Sequence, residues 1–128
     1  MDTSVPQDIV QFIRECVDTL GTLEILLLLQ SSAGRAWTVK QISDEMRSSP
    51  LAAESSLDVL TVRGLVSLIA DGYLFRPRTA DLESKTRGLA ALYQERRAAV
   101  ITIIFSRRGD AVRSFAEAFR IKKGPSDG

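Results

Sequence analysis

Few residues in this chain of 128 amino acids could carry out catalysis. There is no histidine, which excludes Ser-His-Asp and Cys-His catalysis and removes the commonest zinc ligand. The single cysteine, Cys16, cannot form an intramolecular disulfide, and its helical spacing from Phe12 and Ile13 predicts a buried thiol. The glycines are isolated, and the adjacent acids Asp44 and Glu45 point to different sides of a short helix. We therefore expect a protein that is not an enzyme and that uses no cofactor or metal.

The polar side chains between positions 40 and 78 could bind nucleic acid instead. Arginine and lysine bind backbone phosphates or the minor groove, and serine bonds to phosphates or to several base edges. The candidate DNA-binding residues are Lys40, Arg47, Ser48, Ser49, Ala52, Ser55, Ser56, Arg63, Arg76 and Arg78.

Two short helices joined by a tight turn must position these residues. Thr38 precedes an amphipathic segment, 39–46, and Gln41 follows it at the spacing of a capping box. Pro50 suits the first turn of a second helix, 51–63, which Ser49 would cap and Gly64 would end. The pattern predicts a helix-turn-helix.

A β-hairpin is predicted to follow the second helix. Residues 65–69 are typical of a strand, 70–72 of a turn, and 73–76 of a return strand. Residues 35–37 could add a short strand that pairs with the hairpin. Arg76 and Arg78 would then flank Pro77 at the base of this hairpin.

Further helices should enclose this unit. Residues 9–18 have helical spacing, and Thr19 should cap an apolar helix over 20–30 that is buried by its neighbours. A long helix should begin near Thr79 and continue through 98–105, where β-branched residues also permit a strand. We favour helix there because no turn residue separates 98–105 from the preceding segment. A last helix, 110–122, should begin at Asp110.

This order of elements resembles that of the bacterial winged helix-turn-helix transcriptional regulators, in the broad MarR-like sense. The resemblance covers residues 20–78. It rests on the apolar run 23–29, the segment 38–42, the Ser49-Pro50 helix start, and residues 57–60 leading to 64–66. It implies a mainly α (α+β) fold with a small β-hairpin wing, and a dimer that binds operator DNA.

The predicted second helix is poorly suited to sequence-specific DNA binding. It contains no lysine or arginine before Arg63, but it does contain Glu54 and Asp58. Carboxylates repel phosphates unless one of them accepts a hydrogen bond from cytosine. Arg76 and Arg78 have two interpretations, as a phosphate clamp or as solvated residues that keep a sheet edge from pairing with another chain.

We expect residues 1–78 to form the winged helix-turn-helix domain and residues 79–123 to form a helical extension. The extension is too apolar to be exposed to water on its own. We therefore predict a homodimer, in which a second copy of the chain buries these apolar side chains. Alternatives are an extension that folds back on its own domain, or one whose basic residues bind anionic lipid, which is the less favoured. The predicted dimer interface comprises Ile9, Phe12, Ile13, Leu92, Val100, Ile103, Ile104, Phe115 and Phe119.

Charge is unevenly distributed along the chain. The net charge is +1, but residues 1–63 carry nine acids and five bases, and residues 64–128 carry seven acids and twelve bases. The sequence shows no secretory signal, and its apolar run at 25–29 is too short to span a membrane. The expected location is the cytoplasm, and membrane binding is not expected.

Two functions remain open from the sequence. The leading hypothesis is a DNA-binding transcriptional regulator that acts as a homodimer. The alternative is a winged-helix protein-protein interaction module without sequence-specific DNA binding, whose partner could be another regulatory protein. The acidic second helix favours the alternative, and the arginines at the hairpin favour the regulator.

Overall fold

The protein, as a computed structural model that describes residues 5–106, is mainly helical with one small antiparallel sheet of two strands. The predicted last helix, with Phe115 and Phe119, lies outside the described residues. The elements are α1 (Gln7–Cys16), α2 (Leu20–Ser31), α3 (Val39–Met46), α4 (Pro50–Val62), β1 (Val66–Ile69), β2 (Gly72–Phe75), α5 (Ala80–Glu95) and α6 (97–106).

Side-chain caps begin four of the helices. In each case a hydroxyl oxygen accepts a hydrogen bond from the backbone N–H three residues later, at 3.1 Å, which satisfies a donor that the helix itself cannot pair. At α3 the Gln41 side chain also accepts from the Thr38 N–H, which completes the predicted capping box. The caps are Thr19, Thr38, Ser49 and Thr79.

Left-handed residues end α3 and α4. Arg47 has a φ of 56°, and the Ser48 N–H donates to the Ser43 carbonyl at 3.0 Å. Gly64 has a φ of 81°, and the Leu65 N–H donates to the Leu60 carbonyl at 3.0 Å. The turn between α3 and α4 and the predicted stop at Gly64 are both present.

The hairpin follows directly, with Val66 opposite Phe75 and Ile69 opposite Gly72. The predicted strand over 35–37 is reduced to one bridge, in which Trp37 and Tyr73 exchange two backbone hydrogen bonds of 2.7 Å. Gly72 has a φ of 128° and lies directly against the Trp37 carbonyl, so only glycine fits there.

The core forms around α2, which contacts α3, α4, α5 and β2. Its apolar residues are buried on several sides, as predicted for a central helix. From α4 the inward residues are Ala53, Leu57 and Leu60. Helix α5 packs against α1 and α2.

The predicted continuous helix through 98–105 is helical but not continuous. The chain leaves the helix at Arg96, with φ −136° and ψ 56°, and α6 begins at the next residue. A straight helix over 80–106 would be about 40 Å long, whereas α2 spans only about 18 Å. The break lets Val100 and Ile104 enter the core, where both are fully buried, while Arg96 itself is exposed.

Burial also corrects part of the predicted dimer interface. Five of its residues lie in the core of the single chain, where their own neighbours already cover them. Leu92 and Ile103 are half-buried against the same core. Over residues 97–106, therefore, the chain folds back on its own domain. The five buried residues are Ile9, Phe12, Ile13, Val100 and Ile104.

Candidate functional site

One side of α4 faces solvent and forms the first part of the candidate site. Helical spacing places its exposed residues on the side opposite the three inward ones. Leu51 is 77% exposed and Val62 is 72% exposed, so both aliphatic side chains are open to solvent. We call this surface the α4 face; it comprises Leu51, Glu54, Ser55, Asp58 and Val62. The α4 face therefore combines aliphatic surface with two negative charges.

The predicted serine contacts have different environments. Ser48 and Ser55 are exposed, as is Ala52. The Ser49 hydroxyl accepts the Ala52 N–H as the cap of α4. Ser56 points the other way, because its hydroxyl lies 2.9 Å from the Thr22 hydroxyl and ties α4 to α2. The assignment of Ser56 to a DNA-facing surface was wrong.

Arg76 and Arg78 line a groove of about 550 Å³ at the base of the hairpin. Both side chains are exposed, and neither forms an ion pair with any residue in the range 5–106. Their backbone N–H groups donate to the Leu65 and Gly64 carbonyls at 3.0 and 2.7 Å, which fixes their positions beside the end of α4. We call this surface the arginine groove; it is lined by Thr61, Gly64, Val66, Ser67, Leu68, Arg76, Pro77 and Arg78.

Arg78 also has a structural role. Its guanidinium lies over Gly64, where an added Cβ would be 3.1 Å from its Cζ and Nε. Positive charge near the C-terminal end of a helix is favourable because the helix dipole is negative there. Arg78 therefore helps to stabilise the C-terminal end of α4, in addition to lining the groove.

The three remaining basic candidates do not line this groove. Lys40 forms an exposed ion pair with Asp44 at 3.1 Å, and Arg47 is exposed at the end of α3. Arg63 does not line the groove but lies near Cys16. Burial raises the pKa of the Cys16 thiol, and the positive charge of Arg63 partly opposes this. Of the five predicted basic residues, only Arg76 and Arg78 thus line the groove.

The tip of the hairpin is apolar and acidic. Leu68 is 60% exposed, Ile69 is 36% exposed, and Asp71 in the turn is exposed. Arg76 follows the end of β2, so it lies roughly 13 Å along the strand from Gly72 at the turn. The positive charge of the hairpin is therefore at its base and not at its tip.

The carboxylates of the α4 face act electrostatically on the hairpin. Burial raises the pKa of the Tyr73 hydroxyl above its ordinary range, and the negative charges of Asp58 and then Glu54 raise it further. The carboxylates of Asp58 and Glu54 therefore lie within electrostatic reach of Tyr73 on β2.

The aliphatic part of this site, Leu51, Val62 and Leu68, was not predicted from the sequence. A usable signal was present, because Ala53, Leu57 and Leu60 already fill the inward side of α4. Any other large apolar residue of that helix must then face away from the core.

No helix within residues 5–106 has both the length and the apolar content needed to cross a bilayer. The same residues contain no group of three or more acidic, cysteine or histidine side chains placed to hold a metal ion. Comparison of the chain with protein-family models, with curated proteins and with solved structures gives no match.

Proposed function

We propose that the chain is a winged helix-turn-helix module that binds another protein through the α4 face. The observation that carries this proposal is the composition of that face: two exposed aliphatic side chains, two carboxylates and no basic residue. In this architecture α4 would be the recognition helix and the hairpin would be the wing.

Electrostatics disfavours DNA as the ligand of the α4 face. Double-stranded DNA carries one negative charge per roughly 1.7 Å of its axis, and binding normally depends on its neutralisation by lysine and arginine. Glu54 and Asp58 would instead face phosphates, and Leu51 and Val62 would lose water without gaining apolar cover. A protein surface with aliphatic and basic residues offers the α4 face both kinds of contact.

The arginine groove supports a second candidate, a DNA-binding regulator that acts as a homodimer. Two guanidinium groups without ion pairs among the described residues could clamp backbone phosphates. Such contacts give salt-sensitive affinity and little sequence selectivity.

The proposed function is tested by placing a photoreactive amino acid at Ser55 in cells that express the chain. We expect a cross-linked protein adduct of defined mass, which Asp58→Lys on the same chain should abolish by reversing the charge of the face. The matched control carries the photoreactive residue at Ser84, an exposed position on α5, and should not yield this adduct. Cross-linking to DNA at Ser55, with no protein adduct, would contradict the proposal.

A mobility shift with DNA at low and moderate salt separates the two candidates. We expect no sequence-dependent complex from the unmodified chain, and new salt-sensitive binding from the double variant Glu54→Lys, Asp58→Lys. If the arginine groove binds phosphates, Arg76→Ala with Arg78→Ala should lower the dependence of log K on log salt by about 2. A sequence-dependent complex that survives moderate salt would favour the regulator.

A further inference from the structure

A second concave surface lies on another side of the protein, between α2, the end of α3 and the second half of α5. It is a groove of about 510 Å³. This volume falls within the range of small-molecule sites in proteins. We call it the α2–α5 groove; its lining residues are Glu24, Leu27, Leu28, Gln30, Ser31, Glu45, Met46, Ala90, Tyr93 and Gln94.

The floor of the α2–α5 groove is apolar. Leu27, Leu28, Met46 and Tyr93 pack against the core but remain partly exposed, and Ala90 is half-buried beside them. An apolar group of a bound ligand would bury the exposed parts of these side chains, which is favourable because it removes apolar surface from water.

All of the formal charge in the lining is negative. Glu24 and Glu45 are its charged residues, and no lysine or arginine contributes to it. Neither carboxylate forms an ion pair with another residue of the described part of the chain. Glu24 is half-buried, so its charge is screened less by water than that of a fully exposed side chain.

Tyr93 is also part of the lining. Its hydroxyl is buried and has no partner among residues 5–106. The Arg97 guanidinium lies 4.9 Å from the centre of the Tyr93 ring, so this ring already accepts a cation on one side, although Arg97 does not line the groove.

From the apolar floor, the two carboxylates and the tyrosine, we infer that the α2–α5 groove binds a small organic cation, an amine or ammonium compound with an apolar body. The apolar body would lie on Leu27, Leu28 and Met46, and the cationic group would lie between Glu24 and Glu45. This inference does not depend on the function proposed for the α4 face, because the two surfaces share no residue.

Three probes with the same apolar body test the inference: 4-phenylbutylamine, 4-phenylbutanol and 4-phenylbutanoate, which are cationic, neutral and anionic at neutral pH. Binding is followed by NMR chemical-shift titration of the full chain. We expect the amine to bind about tenfold more tightly than the alcohol, as a partly screened charge pair would give. The anion should bind more weakly than either.

The double variant Glu24→Gln, Glu45→Gln should remove the preference for the amine while leaving binding of the alcohol unchanged. The matched control, Glu15→Gln with Asp71→Asn, removes two exposed carboxylates elsewhere and should keep the preference. Equal affinity for amine and alcohol in the unmodified chain would overturn the inference. So would an undiminished preference in the Glu24→Gln, Glu45→Gln variant, or an equal loss of it in the control.

Discussion

The α4 face and the arginine groove are adjacent surfaces of one helix and one hairpin, yet they carry opposite charge. The α4 face presents two carboxylates between two exposed aliphatic residues, whereas the groove presents two guanidinium groups beside the end of α4. A helix that reads DNA usually carries its own cations. Here the cations lie only where the helix ends.

This difference shows that the fold of a protein does not by itself determine which ligand the protein binds. Caps, a left-handed glycine, a short hairpin and the buried residues Ala53, Leu57 and Leu60 position α4, and they do not limit which residues face outward. The outward residues decide what is bound, and from those of α4 we propose contact with protein over contact with phosphate.

The comparison depends on the hairpin being held beside α4, and Gly72→Ala should disrupt this. An added Cβ would overlap the Trp37 carbonyl and lie 3.0 Å from the Thr38 nitrogen, at a φ of 128° that alanine rarely adopts. Strain and the loss of the Trp37–Tyr73 hydrogen bonds should together lower the free energy of unfolding by about 3 kcal/mol. Chemical denaturation monitored by circular dichroism measures the loss.

Gly34→Ala is the matched control for this variant. Gly34 also has a positive φ, 95°, but an added Cβ there would meet nothing within 4 Å. Its cost should be limited to backbone strain, roughly 1–2 kcal/mol. If the two variants lost equal stability, the close approach of Gly72 to Trp37 would not be what holds the hairpin in place.

The position of α4 itself depends on its cap, and two neighbouring serines can test this. Ser49→Ala removes the acceptor for the Ala52 N–H and should lower the free energy of unfolding by about 1 kcal/mol. Ser48→Ala replaces an exposed side chain that forms no hydrogen bond among the described residues. This variant should alter the free energy of unfolding by less than about 0.5 kcal/mol. Thermal unfolding of both variants under one condition gives the contrast; equal effects would mean that the Ser49 cap is not formed.

Local signals explain why so much of this unit could be predicted. The caps at Thr38 and Ser49, the stop at Gly64 and the turn before Gly72 each depend on residues within four positions of one another. Residue type and spacing therefore determine them almost completely. The bounds of α3 were predicted without error.

Predictions that depend on distant contacts were less successful. The orientation of Ser56 depends on Thr22, 34 positions earlier, and no local pattern contains that information. The break at Arg96 has no glycine or proline to mark it and follows from where the core ends. The burial of Val100 and Ile104 was predicted correctly. The sequence pattern does not show, however, whether residues of the same chain or of a partner bury them.

The smallest predicted effect is the electrostatic influence of the α4 carboxylates on the pKa of Tyr73 in the hairpin. Because the pKa of Tyr73 is raised in the folded protein, the contribution of this tyrosine to stability is complete below its unfolded pKa of about 10. That contribution is lost as the pH rises through the folded value. Asp58→Asn removes one of the negative charges and should lower the pKa of Tyr73, so that less stability is lost at alkaline pH.

The ultraviolet absorbance of tyrosinate measures this titration, with Tyr93→Phe as the common background so that Tyr73 is the only tyrosine. Asp71→Asn, which removes an exposed carboxylate in the hairpin turn, should change the titration less than Asp58→Asn does. An unchanged titration in the Asp58→Asn variant would mean that the α4 face and the hairpin are electrostatically independent.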